Sequence, residues 1–319
     1  MSHIYVYSPS GAVRDRVALR RGLAWLKASG HEVEVDADAC SRHQRFAGDD
    51  ATRLAALERA AASGADVALM TRGGYGLTRL LPALPLKAMV KAAQRGMRWV
   101  GMSDFTALQL AMLARTDTVS WAGPLLCDDF GAPDGPDAIV QACFEDLLLG
   151  CSEGTGWRVP APRRRVATEN VAVPAGSTGS GAGFHLKNGT LWGGNLCVLT
   201  SLLGTPYFPK IRRGLLFLED VGEHPYRIER MLTQLLHAGV LQRQQAIVLG
   251  AFTAFRLVPH DRGFGLGTVV DWLRSQLKVP VLTGLPFGHV ATKVLLPVGA
   301  RCDLLLQERE ALLLWGHGV

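Results

Sequence analysis

The feature that most constrains this chain is the alternation of short apolar runs with helical patterns over its first 150 residues. The runs are Ile4–Tyr7, Val33–Val35, Val67–Met70 and Trp99–Met102. Helical spacing fills Val13–Ala28 and the Ala-rich stretch Ala51–Ala62. Such alternation predicts an α/β fold with a parallel sheet and crossover helices, whose working loops lie at the carboxyl ends of the strands.

The texture then changes. Residues 151–183 are rich in Gly, Pro, Ser and Arg and have little periodicity, which predicts a linker or excursion between residues 1–150 and 184–319. Beyond it, strands are expected at Leu215–Leu218, Ala246–Leu249, Val279–Leu282, Val294–Leu296, Leu304–Leu306 and Ala311–Trp315. Ile228, Met231, Leu232, Leu235 and Leu236 form one helical stripe behind Pro225, a residue suited to a first helical turn.

Composition narrows the function. No apolar run approaches the roughly 18 residues of a membrane span. The start of the chain lacks a basic and apolar leader, so a cytoplasmic protein without a membrane partner is expected. Six scattered cysteines suggest free thiols. Asp36, Asp38, Cys40 and His43 lack metal-site spacing, so no metal is expected. The net charge is +6, and its one dense cluster, Arg163–Arg165, has no interleaved aromatics. A small anionic substrate suits that charge, and no nucleic-acid partner is expected.

Three segments carry chemistry. Ser103 joins the Trp99–Met102 run to a helical pattern through Phe105, Leu108, Met112 and Leu113. A serine on such a turn presents its hydroxyl beside the free N–H groups of a helix start, as a nucleophile requires. The same serine could simply cap the helix, with Asp104 complementing the dipole. Phe105 also stands where a G-x-S-x-G motif has its second glycine. Thr71-Arg72-Gly73-Gly74-Tyr75-Gly76 follows a strand and could turn N–H groups toward an anion, or be an ordinary tight turn. Glu219 and Asp220 end an apolar strand, with Glu223 close behind, and a buried acid there needs a partner. That partner could be a histidine, or Arg227 or Arg230. Among nine histidines, His289 in Gly284-Leu-Pro-Phe-Gly-His289 sits in a constrained loop that suits a general base.

Taken in order, Arg72–Gly76, Gly101-Met-Ser-Asp-Phe-Thr-Ala-Leu108, Leu191-Trp-Gly-Gly-Asn-Leu196, Thr200–Tyr207, Phe217–Arg230 and Gly284–His289 resemble the LD-carboxypeptidase family of serine peptidases. The resemblance implies a Rossmann-like N-terminal domain and a smaller, β-rich α/β C-terminal domain. It implies a triad of Ser103, Glu219 and His289, with Glu223 the second choice for the acid. Backbone N–H groups of Asp104 and of Gly73 or Gly74 would form the oxyanion hole. The implied activity removes the terminal D-alanine of murein tetrapeptides during cytoplasmic cell-wall recycling, by a homodimer without metal or organic cofactor. Arg72 or Arg230 would take the terminal carboxylate, with Tyr75, Trp192 and Asn195 near the substrate; Asn195 could instead cap the following helix. Ala122 departs from the histidine usual there. Two rival readings follow, an immunity peptidase of the microcin C type and a non-catalytic peptide-binding module.

Overall fold

The structure is a computed structural model and describes residues 1–161 and 183–316. The Arg163–Arg165 cluster, most of the expected linker and His317 lie outside the described residues.

The first sheet begins as the apolar runs predict. Strands β1 (His3–Tyr7), β2 (Glu32–Val35), β3 (Val67–Met70) and β4 (Arg98–Gly101) are parallel. A short β5 (Ser120–Ala122) continues the parallel set beside β4. Helices α1 (Arg16–Ala28), α2 (Asp50–Ala62), α3 (Leu77–Leu80), α4 (Leu86–Gln94) and α5 (Thr106–Thr116) alternate with these strands, and α6 (Ala138–Leu149) follows β5. Helix α1 starts later than the apolar pattern suggests, because Asp15 accepts hydrogen bonds from Val17 N and Ala18 N and so caps it.

The second sheet contains β6 (Gly154–Arg158), β7 (Phe184–Asn195), β8 (Leu215–Val221), β9 (Ala246–Thr253), β10 (Val281–Thr283), β12 (Arg301–Gln307) and β13 (Glu310–Leu314). It is mixed, with β7 to β10 parallel and β7, β12, β13 and β6 antiparallel. Helices α7 (Leu196–Ser201), α8 (Pro225–His237) and α9 (Leu266–Gln276) lie between its strands in sequence. Thus β6 occupies part of the stretch read as linker, because its backbone pairs with β13 despite its glycines.

One strand breaks the division by sequence. β11 (Leu296–Val298) pairs antiparallel with β5 and closes the edge of the first sheet, although it lies late in the chain. The apolar run Val294–Leu296 signalled the strand but not its sheet. Ala122 is buried here, opposite Leu296. Among the described residues, no helix is long and apolar enough to cross a membrane.

Candidate active site

Ser103 follows β4 and begins a single 3-10 turn leading into α5. Its φ is +66°, the left-handed region that side-chain-bearing residues avoid at a cost of about 1–2 kcal/mol. It is not a helix cap, since the cap positions of the 3-10 turn and of α5 fall on Met102 and Phe105. Asp104 is not a dipole ornament either. Its buried carboxylate accepts from Ser10 Oγ and Leu77 N, and burial pushes its pKa up against those bonds. The missing second glycine of the serine motif also has an explanation. The Phe105 ring packs over Gly101, where an added Cβ would lie 2.8 Å from Phe105 Cγ.

Gly73 touches the serine. A Cβ there would stand 2.6 Å from Ser103 Oγ and 3.8 Å from Asp104 N, so a side chain would collide with the nucleophile candidate. Among the described residues, the N–H groups of Gly73 and Gly74 donate no hydrogen bond, although Gly73 is buried. Unsatisfied donors of this kind are uncommon in folded proteins and suit an anion.

The acid and the base meet in the second sheet. His289 Nδ1 lies 2.8 Å from Glu219 Oε2, and Glu219 is completely buried. With Nδ1–H donating to the carboxylate, Nε2 is left free to take a proton. Burial pulls the imidazole pKa down, but the hydrogen bond and charge of Glu219 push harder, and the balance lies above the ordinary histidine value. Glu223 is elsewhere, 3.7 Å from Arg227 in an ion pair one helical turn apart.

Asn195 ties the halves of the site together. The register of β7 and β8 sets it beside Glu219. Its Nδ2 donates to Glu219 Oε1 at 3.2 Å and to Asp220 Oδ1 at 3.0 Å, while its Oδ1 caps α7 by accepting from Val198 N. Its backbone N–H donates to Thr106 Oγ1, three residues past Ser103. Neighbouring Gly194 must stay small, because a Cβ would stand 2.5 Å from that same oxygen. Asp220 also accepts from Cys197 N and Val221 N, and burial raises its pKa to about 6, with the charge of Glu219 adding to the rise. Sequence reasoning placed Asn195 on the substrate wall or at a helix cap; it caps the helix and braces the acid. The role of Asp220 was missed, although its place next to Glu219 was the available signal.

Other candidates are dispersed. Trp192 is fully buried, donates from Nε1 to Gln244 Oε1 and packs edge-on against Phe208, so it is a core residue and not a substrate wall. Arg230 is exposed on α8. Arg72 is half-buried against Gly11 and Gly74, with no hydrogen bond or ion pair among the described residues, and burial together with Arg14 lowers its pKa. Tyr75 is exposed beside Phe46 and Arg45. Ser103 Oγ has no hydrogen-bond partner among the described residues, His289 included; such contacts often tighten only when substrate arrives. Also among the described residues, no cluster of three or more His, Cys, Asp or Glu could hold a metal.

Comparison with known proteins identifies the family. Residues 4–123 match the LD-carboxypeptidase N-terminal domain and residues 188–304 its C-terminal domain. The chain belongs to the LD-carboxypeptidase family. It superposes on the crystal structure of muramoyltetrapeptide carboxypeptidase from Oxalobacter formigenes with a TM-score of 0.83 and 37% identity, covering all of both chains. It is 29% identical to the murein tetrapeptide carboxypeptidase of Pseudomonas aeruginosa over 93% of this chain and 91% of that protein. It is 26% identical to the microcin C7 self-immunity protein MccF of Escherichia coli over 73% of this chain and 69% of that one. Membership in this family of peptidases makes the chain a hydrolase of peptide-type bonds.

Proposed function

We propose that this chain is a serine-type LD-carboxypeptidase that removes the terminal D-alanine from murein tetrapeptides during cytoplasmic recycling of the cell wall. The observation that carries the reading is the buried Glu219–His289 pair, with Ser103 held at positive φ against the Gly73 loop.

The chemistry follows from those groups. Ser103 Oγ attacks the carbonyl carbon of the penultimate residue and passes its proton to His289 Nε2. Glu219 holds the imidazole in the tautomer that accepts there. The developing oxyanion meets N–H groups of Gly73 or Gly74 and Asp104, and losing one such donor typically costs about a hundredfold in rate. His289 returns the proton to the amine of D-alanine as the C–N bond breaks. Water then adds to the acyl-enzyme by the reverse roles. Arg72 is the better of the two arginines for the terminal carboxylate. It is a half-buried cation on the glycine loop with no hydrogen bond or ion pair among the described residues, and a bidentate anion would relieve it. Tyr75 borders the same loop.

The test is mass spectrometry of purified protein with a murein tetrapeptide, beside Ser103→Ala. Loss of one alanine with the wild type alone is the expected result. Cleavage by the folded Ser103→Ala protein would refute the nucleophile. No cleavage by the wild type would refute the murein substrate and direct the search to peptidyl-nucleotides.

A further inference from the structure

His289 rides on a crossover between the two sheets. The chain leaves β10 at Thr283, carries His289, and enters the first sheet as β11 at Leu296. The second sheet holds the near side of this crossover through Ala251 N to Phe287 O at 2.8 Å and Thr253 Oγ1 to His289 O at 3.3 Å. The segment after β5 holds the far side by polar bonds. Thr292 Oγ1 donates to Asp137 Oδ2 at 2.7 Å, and Lys293 Nζ pairs with Asp129 Oδ1. Both side chains of that ion pair are only 4% exposed.

The pair leads back to the nucleophile. Asp129 Oδ2 accepts from Leu125 N and pins the helical turn Leu126–Phe130 after β5. Within that turn Cys127 N donates to Thr71 O, at the root of the loop whose Gly73 touches Ser103. A buried ion pair gives little stability relative to apolar residues of the same size, so stability does not account for it. It does place a fixed link between the loop carrying the base and the loop against the nucleophile. We infer that Lys293 and Asp129 are positioning residues that hold His289 in register with Ser103. Lys293 also opposes, by its charge, the protonation of His289 that Glu219 and Asp220 favour, while Asp129 stands behind Lys293.

This inference rests on the reading of Ser103 as nucleophile, so its test reports on that serine directly. Labelling of Ser103 by a fluorophosphonate probe is timed alongside steady-state kinetics for the wild type and Lys293→Met/Asp129→Leu. The double variant replaces the pair by apolar groups but leaves Leu125 N without its acceptor, so it should fold with a modestly lowered thermal midpoint. Its kcat and labelling rate should fall about ten- to a hundredfold, the scale of a small misplacement of a catalytic group. KM should stay within about twofold, because ground-state binding is untouched. The acid limb of its pH profile should move to higher pH, because the Lys293 charge no longer opposes protonation of His289. If the double variant does not fold, the isosteric Asp129→Asn decides, with the same fall in kcat expected. A folded variant with wild-type kcat and labelling rate overturns the inference, wherever its acid limb lies. A wild type that the probe does not label at Ser103 overturns the nucleophile reading and the inference with it.

Discussion

Replacing Ser103 by glycine should make this protein more stable while leaving it inactive. The backbone of Ser103 sits at φ +66°, where a Cβ costs about 1–2 kcal/mol. Glycine escapes that penalty but loosens the unfolded chain, which returns about 0.4–1 kcal/mol. Ser103→Ala keeps the penalty and loses only the hydroxyl. Ser103→Gly should therefore exceed Ser103→Ala by about 0.5–1 kcal/mol, with neither variant active. Seven tryptophans allow urea unfolding to be followed by fluorescence. With a slope of about 3 kcal/mol/M, the difference is a midpoint shift of about 0.2–0.3 M. An alanine variant as stable as the glycine variant would show that the turn stores no strain, and the argument that strain serves to present the hydroxyl would fail.

Two further predictions concern the acid and the base. Glu219→Gln should lower kcat by about 10⁴, as losing the carboxylate behind a catalytic histidine does, whereas Glu223→Gln should stay close to wild type; steady-state assays showing the reverse ranking would reassign the acid. Catalysis needs neutral His289, whose pKa lies above its usual 6.5 because the pull of Glu219 outweighs burial, so kcat/KM should rise with pH through a limb above that value. A limb at or below 6.5 would contradict the pairing.

Much of the fold was legible because its signals are local. β1, β3 and β4 are buried on both faces, so they appear as unbroken apolar runs. The stripe of α8 buries Ile228, Met231, Leu232 and Leu235, and Pro225 stands in its first turn. β7 was missed because Lys187, Asn188 and four glycines or threonines interrupt its apolar character; its pairing with both β8 and β12 makes it a strand regardless. The site was legible in part for the same reason. A serine at a strand–helix junction, a glycine loop and an acid ending a strand are local patterns, and each also allowed an ordinary structural reading.

The sequence by itself determined the strand–helix alternation, the glycine loop and the residue types available for acyl transfer, since these follow from periodicity and side-chain chemistry within a few residues. Tertiary structure decided what longer stretches of chain separate. It joined Glu219, and not Glu223, to His289. It buried Trp192, turned Asn195 into a brace, put β11 into the first sheet and set Lys293 against Asp129. The reason is physical: a residue's own spacing sets which way it faces, but its partner is set by strand register and sheet crossover, and those depend on the packing of the whole chain.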